Sequence, residues 1–95
     1  MDFEWDAGKA KENLRKHKVS FSEAAESFSD PDGFAIRDDK HSQDEERFYW
    51  LGRSSSGKIL TTRFTRREGK VRIYGSAEWR EFRRIYNEKT KPKKS

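Results

Sequence analysis

Residues 58–76, KILTTRFTRREGKVRIYGS, decide the fold. Apolar and polar side chains alternate on both sides of Arg66-Arg67-Glu68-Gly69, the pattern of two strands joined by a tight turn. Leu60, Thr62 and Phe64 with Val71 and Ile73 form the inward face, while Arg63, Arg72 and Tyr74 point away. With Arg66–Gly69 as the loop, Thr65 faces Lys70 and Arg63 stands directly opposite Arg72. Like charges set opposite one another on a sheet are destabilising. Such a pair, with Arg66, Arg67, Lys70 and Tyr74 beside it, either holds a site for a phosphate or splays its guanidiniums into solvent and towards acids on the loops.

Working outward, Arg47–Arg53 reads as a strand ended by Ser54-Ser55-Ser56-Gly57, and with Lys58–Thr65 and Lys70–Ser76 it predicts an antiparallel meander. Phe34–Arg37, after a turn at Gly33, is a short fourth strand, and Asp38 to Glu46 form a charged loop. Phe48-Tyr49-Trp50-Leu51 is apolar throughout, as in a strand covered on both faces, so its register stays open. Either Leu51 lies opposite Leu60 and Tyr49 opposite Thr62, or a bulge sends Phe48 and Trp50 inward and lets Arg53 join the basic face.

Helices flank the meander. Asp6 is an N-cap for a first helix whose Ala7, Ala10 and Leu14 form a stripe beneath Trp5. Ser20 and Glu23 form a capping box for a second, with Phe21, Ala24, Ala25 and Phe28 at helical spacing before Asp30-Pro31 stops it. Ser76 is placed to cap a last helix with Trp79, Phe82, Ile85 and Tyr86 on one stripe and Arg80, Arg83 and Arg84 on its flanks. The expectation is an α+β domain over residues 1–90, with two N-terminal helices, a meander of three or four strands and a C-terminal helix. The helices are expected to cover one face of the sheet and leave the other open. Residues 91–95 are expected to form a basic tail.

The 95 residues make one small domain. Charged residues reach 41%, but the 14% of aromatics separates the chain from disordered ones. A net charge of +5 favours polyanionic partners such as nucleic acid. No stretch approaches the roughly 20 apolar residues of a spanning helix, and no signal peptide is read, so a cytoplasmic location is expected and a membrane partner is not. The absence of cysteine removes disulfides, thiolate metal sites and cysteine nucleophiles together.

His17 and His41 are the side chains that ordinarily titrate near neutrality. His17 closes the first helix, either as a C-terminal cap packed near Trp5 or Phe21 or as a phosphate-facing acid. His41 lies in an acidic loop, and the spacing of the two histidines matches no metal-ligand signature, so no metal or other cofactor is expected. Trp79 either belongs to the core or stacks on an unpaired base. Tyr86 offers a hydroxyl that needs cationic neighbours before it acts as a base.

The ordered set Trp5-Asp6, Lys9, Asn13, Lys16-His17, Val19, Phe21, Ala24, Phe28 and Asp30-Pro31 resembles the BrnT family, the ribonuclease half of BrnT/BrnA toxin–antitoxin pairs in bacteria. The likeness continues through Asp39-x-His41-Ser42, Glu45-Glu46-Arg47-Phe48, Gly52-Arg53-Ser54, Gly57-Lys58-Ile59-Leu60, Thr65-Arg66-Arg67, Val71-Arg72-Ile73 and Tyr86. It implies a fold similar to RelE-type ribonucleases, RNA cleavage without a metal, and inhibition of translation. It also implies neutralisation by a BrnA-like ribbon-helix-helix antitoxin, with operator DNA contacted only through that complex. Many relatives carry an Arg where this chain has Glu78, and Arg80 is the nearest substitute. The residues expected to act are Arg63, Arg72 and Arg80 as phosphate clamps, with Tyr86, Glu78 or His17 in proton transfer. Lys9, Lys16, Arg53, Arg66, Lys70, Trp79 and Arg83 are expected to hold RNA.

Overall fold

Glu68 and Gly69 carry φ angles of 50° and 77°, as a two-residue type I′ turn requires. They close β4 (Ile59–Arg67) onto β5 (Lys70–Ala77) with Arg67 opposite Lys70 in the computed structural model, which describes residues 1–92. The loop is therefore two residues shorter than the expected Arg66–Gly69, and Thr65 rather than Arg63 stands opposite Arg72. A bulge then shifts the ladder, so that Phe64 pairs with Ile73 but Arg63 with Gly75. The like-charged cross-strand pair predicted from the sequence is absent. Tyr74 is the residue left over.

The strands run β1-β5-β4-β3-β2 across one sheet. β3 (Arg47–Arg53) and β2 (Phe34–Arg37) extend the antiparallel part as expected. Phe48 lies opposite Phe64 and Trp50 opposite Thr62, which settles the open register with Phe48 and Trp50 on the face towards the first two helices. The strand the sequence reading missed is β1 (Asp2–Trp5), which pairs in parallel with β5, Glu4 beside Arg72. The sheet is thus five-stranded and mixed rather than an antiparallel meander of three or four strands.

Helices cover both faces, not one. Against one face, α1 (Ala7–His17), α2 (Phe21–Glu26) and a 3-10 turn at Ser27–Ser29 enclose Phe21, Ala24, Phe64, Val71 and Ile73, with Trp5, Phe28 and Trp50 packed around them. The Phe28 and Trp50 rings stack at 4.8 Å. Against part of the other face, α3 (Arg80–Thr90) buries Tyr86 with Leu51 and Ile59. The odd-numbered residues of β3 and β4 therefore face α3 at one end of the sheet and solvent at the other.

Three local expectations need correcting. Ser76 does not cap α3; it is a buried strand residue whose hydroxyl meets Thr62 at 2.9 Å, and the helix starts after Trp79 with no side-chain cap. The Ser20 hydroxyl accepts from the Glu23 N–H at 3.0 Å, but the Glu23 carboxylate turns away to accept from Ser54 and Ser56, so only half the capping box forms. Asp6 caps α1 through the Lys9 N–H as expected, but of the stripe only Ala10 packs on the core: Ala7 is exposed and Leu14 is 50% exposed, whereas Asn13 is buried. Residues 93–95 of the expected tail lie outside the described residues.

Candidate functional site

Beyond the end of α3, Arg47 of β3, Arg63 and Arg67 of β4, and Arg72 and Tyr74 of β5 form the floor of a groove of about 470 Å³. The far wall is α1, which brings Lys9, Lys16 and His17 to it. Asn13 fixes that wall: its amide donates to the Val19 and Ser76 carbonyls, both at 2.9 Å, and its oxygen accepts from the Ser76 N–H at 3.1 Å. One buried side chain thus ties α1 to its following loop and to β5.

The charges of the groove are unequally paired. Glu45 accepts two hydrogen bonds from Arg67, at 3.0 and 2.9 Å, which hold its carboxyl below the usual range and raise the guanidinium. Arg72 donates to Glu4 of β1 at 3.0 Å. Lys16 shares Glu12 with Arg15. Among the described residues, Lys9, Arg47 and Arg63 make no ion pair. Arg47 lies 4.8 Å over the Tyr74 ring and Lys9 5.8 Å from its centre, so the ring faces two free cations. The Tyr74 hydroxyl is buried and makes no well-formed hydrogen bond among the described residues, with Thr65 its polar neighbour, and burial pushes its phenol up. Arg63 lies flat over Gly75, where a Cβ would stand 2.8 Å from a guanidinium nitrogen. Only glycine leaves the guanidinium there undisturbed.

The structure brings together Arg63, Arg72, Lys9, Lys16 and His17 from the residues named by sequence. His17 meets the Trp79 ring edge-on at 6.2 Å, where the sequence suggested packing near Trp5 or Phe21, and this places the β5–α3 link at this end of the groove. Glu78 and Arg80 flank Trp79 in the chain and are exposed, as is Arg83 one turn on. Four other residues lie elsewhere. Tyr86 is buried under α3, its hydroxyl donating to Asp30 at 2.6 Å. Arg53 sits over the Tyr86 ring rather than on the basic floor. Arg66 lines a recess with Phe48 and Phe64, and Lys70 sits at the hairpin tip.

The sequence reading passed over Arg47 and Asn13 as site residues. Arg47 carries a period-two signal, since it faces the same way as Tyr49 and Leu51, but its place opposite Thr65 depends on the β3–β4 register. Asn13 carries none. A polar residue on a polar helix face gives no sign that it is the one buried.

Among the described residues, no three His, Asp or Glu side chains converge to hold a metal, and no helix is long and apolar enough to cross a membrane. A family model described as the ribonuclease toxin BrnT of type II toxin–antitoxin systems matches residues 5–80. No curated protein matches the chain significantly. Among solved structures, the crystal structure of the Brucella abortus ribonuclease toxin BrnT superposes with a TM-score of 0.62 at 17% identity, over 83% of this chain and 96% of that one. That likeness is one of fold.

Proposed function

The chain belongs to the BrnT family of ribonuclease toxins of type II toxin–antitoxin systems, and from this we propose that it is an endoribonuclease whose cleavage site is the basic groove between α1 and the sheet. The observation that carries the proposal is the set of free cations, Lys9, Arg47 and Arg63, gathered in one groove around their aromatic partner Tyr74. A phosphodiester needs fixed positive charge where negative charge builds up at phosphorus, and arginine forks match its oxygens. RNA supplies its own nucleophile in the 2′-hydroxyl, so the protein has only to hold the backbone in line and move two protons. Arg63 and Arg47 clamp the scissile phosphate, with Arg72 behind them. Lys9 and Lys16 hold the flanking backbone, and His17 stands within reach as a proton donor. At the His17 end, Trp79 offers a face for a base, with Arg80 and Arg83 beyond it.

The arginine floor supplies the charge that a metal would otherwise bring, so the reaction proceeds without one. Cleavage of cellular RNA halts translation in the cytoplasm, and a BrnA-like ribbon-helix-helix antitoxin covers the toxin and carries the pair to operator DNA. Expression of the chain alone, followed by total RNA integrity and growth, tests the reading. RNA should fragment as growth stops, and co-expression of the adjacent gene should restore both. Intact RNA during growth arrest contradicts it and points to a binding domain.

A further inference from the structure

The groove does not end at Arg47. Beyond it a 3-10 turn (Asp39–His41) carries His41 beside a small recess lined by Asp38, Arg47, Phe48, Arg63 and Tyr74. Asp38 is the less exposed partner here: its side chain is 10% exposed, and one carboxylate oxygen lies 2.8 Å from His41 Nδ1. The Tyr49 phenol also lies beside this carboxylate. Burial alone would raise the carboxyl, but the His41 and Tyr49 contacts hold it below its usual value. The turn is pinned to β3 through the Asp38 N–H to the Arg47 carbonyl at 2.8 Å and the Arg47 N–H to the Ser42 hydroxyl at 2.9 Å. His17, by contrast, meets the Trp79 ring edge-on, and among the described residues its imidazole makes no side-chain hydrogen bond or ion pair.

We propose that His41, oriented by Asp38, is the residue that accepts the proton of the attacking 2′-hydroxyl, an inference that rests on the groove being the cleavage site. A carboxylate on Nδ1 selects the tautomer that donates from Nδ1 and leaves the lone pair on Nε2. The imidazole itself is 57% exposed, so that lone pair is open to a ligand on the arginines. As O2′ bonds to phosphorus, His41 Nε2 takes its proton. The P–O5′ bond breaks, and the leaving 5′-oxygen takes a proton from His17 across the groove. The products are a 2′,3′-cyclic phosphate and a 5′-hydroxyl. The other charged or titratable groups lining the recesses around His41 are Lys40, Asp44 and Glu45 of its own loop, Arg47 of β3, Arg63 and Arg67 of β4 and Tyr74 of β5.

The test is the pH dependence of kcat/KM on two short RNA substrates, one with the natural 5′-oxygen and one with a 5′-bridging sulfur, a leaving group that needs no acid. His41→Gln should lower kcat/KM by about 100-fold or more on both and remove the acidic limb. His17→Gln should be slow on the oxygen substrate and near wild type on the sulfur one. Asp38→Asn, whose amide favours the wrong tautomer, should cost about 10-fold or more on both substrates; it also serves as the test if His41→Gln melts early. Three results overturn the proposal. One is a His41→Gln enzyme within twofold of wild type with its acidic limb intact while Arg63→Gln is inactive, which leaves the groove standing. Another is rescue of His41→Gln by the sulfur substrate, which makes His41 the acid. The third is full activity in Arg63→Gln as well, which removes the groove reading itself.

Discussion

Replacing Arg63 with Gln removes an exposed guanidinium that makes no ion pair among the described residues, so thermal unfolding should hold within a few tenths of a kcal/mol, as for ordinary surface changes. RNA cleavage should fall by about 100-fold or more, the scale of losing one preorganised charge stabiliser. Arg72→Gln differs, because Arg72 is paired with Glu4 on β1 and its loss also costs up to about 1 kcal/mol of a partly exposed ion pair. Gly75→Ala isolates the positioning of Arg63. The new methyl meets only the far end of that flexible side chain, so the fold should tolerate it while the guanidinium moves off its seat. Cleavage should drop about 10-fold, and Gly75→Ala should add nothing in an Arg63→Gln background, a coupling that a double-mutant cycle reads directly. At this scale the sequence showed the arginines but not their partners. Counting from a four-residue loop placed Arg63 against Arg72, and only the positive φ of Glu68 and the bulge at Tyr74 seat it over Gly75 instead.

At the level of elements, α1 is held to the sheet by Asn13 more than by apolar contact. Asn13→Ala strands the Val19 and Ser76 carbonyls and the Ser76 N–H together, at a cost on the order of 3 kcal/mol. The melting temperature should fall by more than about 10 °C. Cleavage should fall with it even where the protein is folded, since Lys9, Lys16 and His17 ride on that helix. Tyr86 anchors α3 in the same manner. Burial first and the Asp30 hydrogen bond second raise its phenol above the ordinary 10.0, and hydrogen bonds from Tyr86 and the Arg53 and Asp32 N–H groups hold Asp30 below its ordinary 3.8 despite burial. The stability Asp30 contributes is therefore complete above its unfolded value and lost as the solution is acidified through the lower folded one; that of Tyr86 is complete below pH 10.0 and lost above it. Tyr86→Phe should cost about 1.5–3 kcal/mol near neutrality and remove this tyrosine's share of the alkaline loss, as urea unfolding across pH measures. The helices, β2, β3 and the hairpin were legible because caps, turns and periodicity are local. β1 was not, because a four-residue strand that pairs in parallel with β5, more than sixty residues away, leaves no turn to read.

For the molecule as a whole, the two faces of the sheet have different uses. One is closed by α1 and α2 over an aromatic core; the other is shared between α3 and the basic groove. A net charge of +5 and the outward arginines pointed to a polyanion, and the ordered motifs pointed to the family. What lay beyond the sequence was how the cations divide. Some are neutralised by Glu4 and Glu45, others are free, and which is which follows from β1 and from the loop before β3. RNA affinity should accordingly weaken with rising salt in the wild type and less steeply in an Arg47→Gln, Arg63→Gln double variant, each lost phosphate contact lowering the log–log slope by roughly 0.7. The most direct measurement is cleavage of total RNA, in the presence of EDTA, by the wild type and by that double variant, with circular dichroism on both. The wild type should cleave and the double variant, equally folded, should leave the RNA intact. Cleavage by the double variant at the wild-type rate, or a wild type that EDTA silences and magnesium restores, contradicts the account.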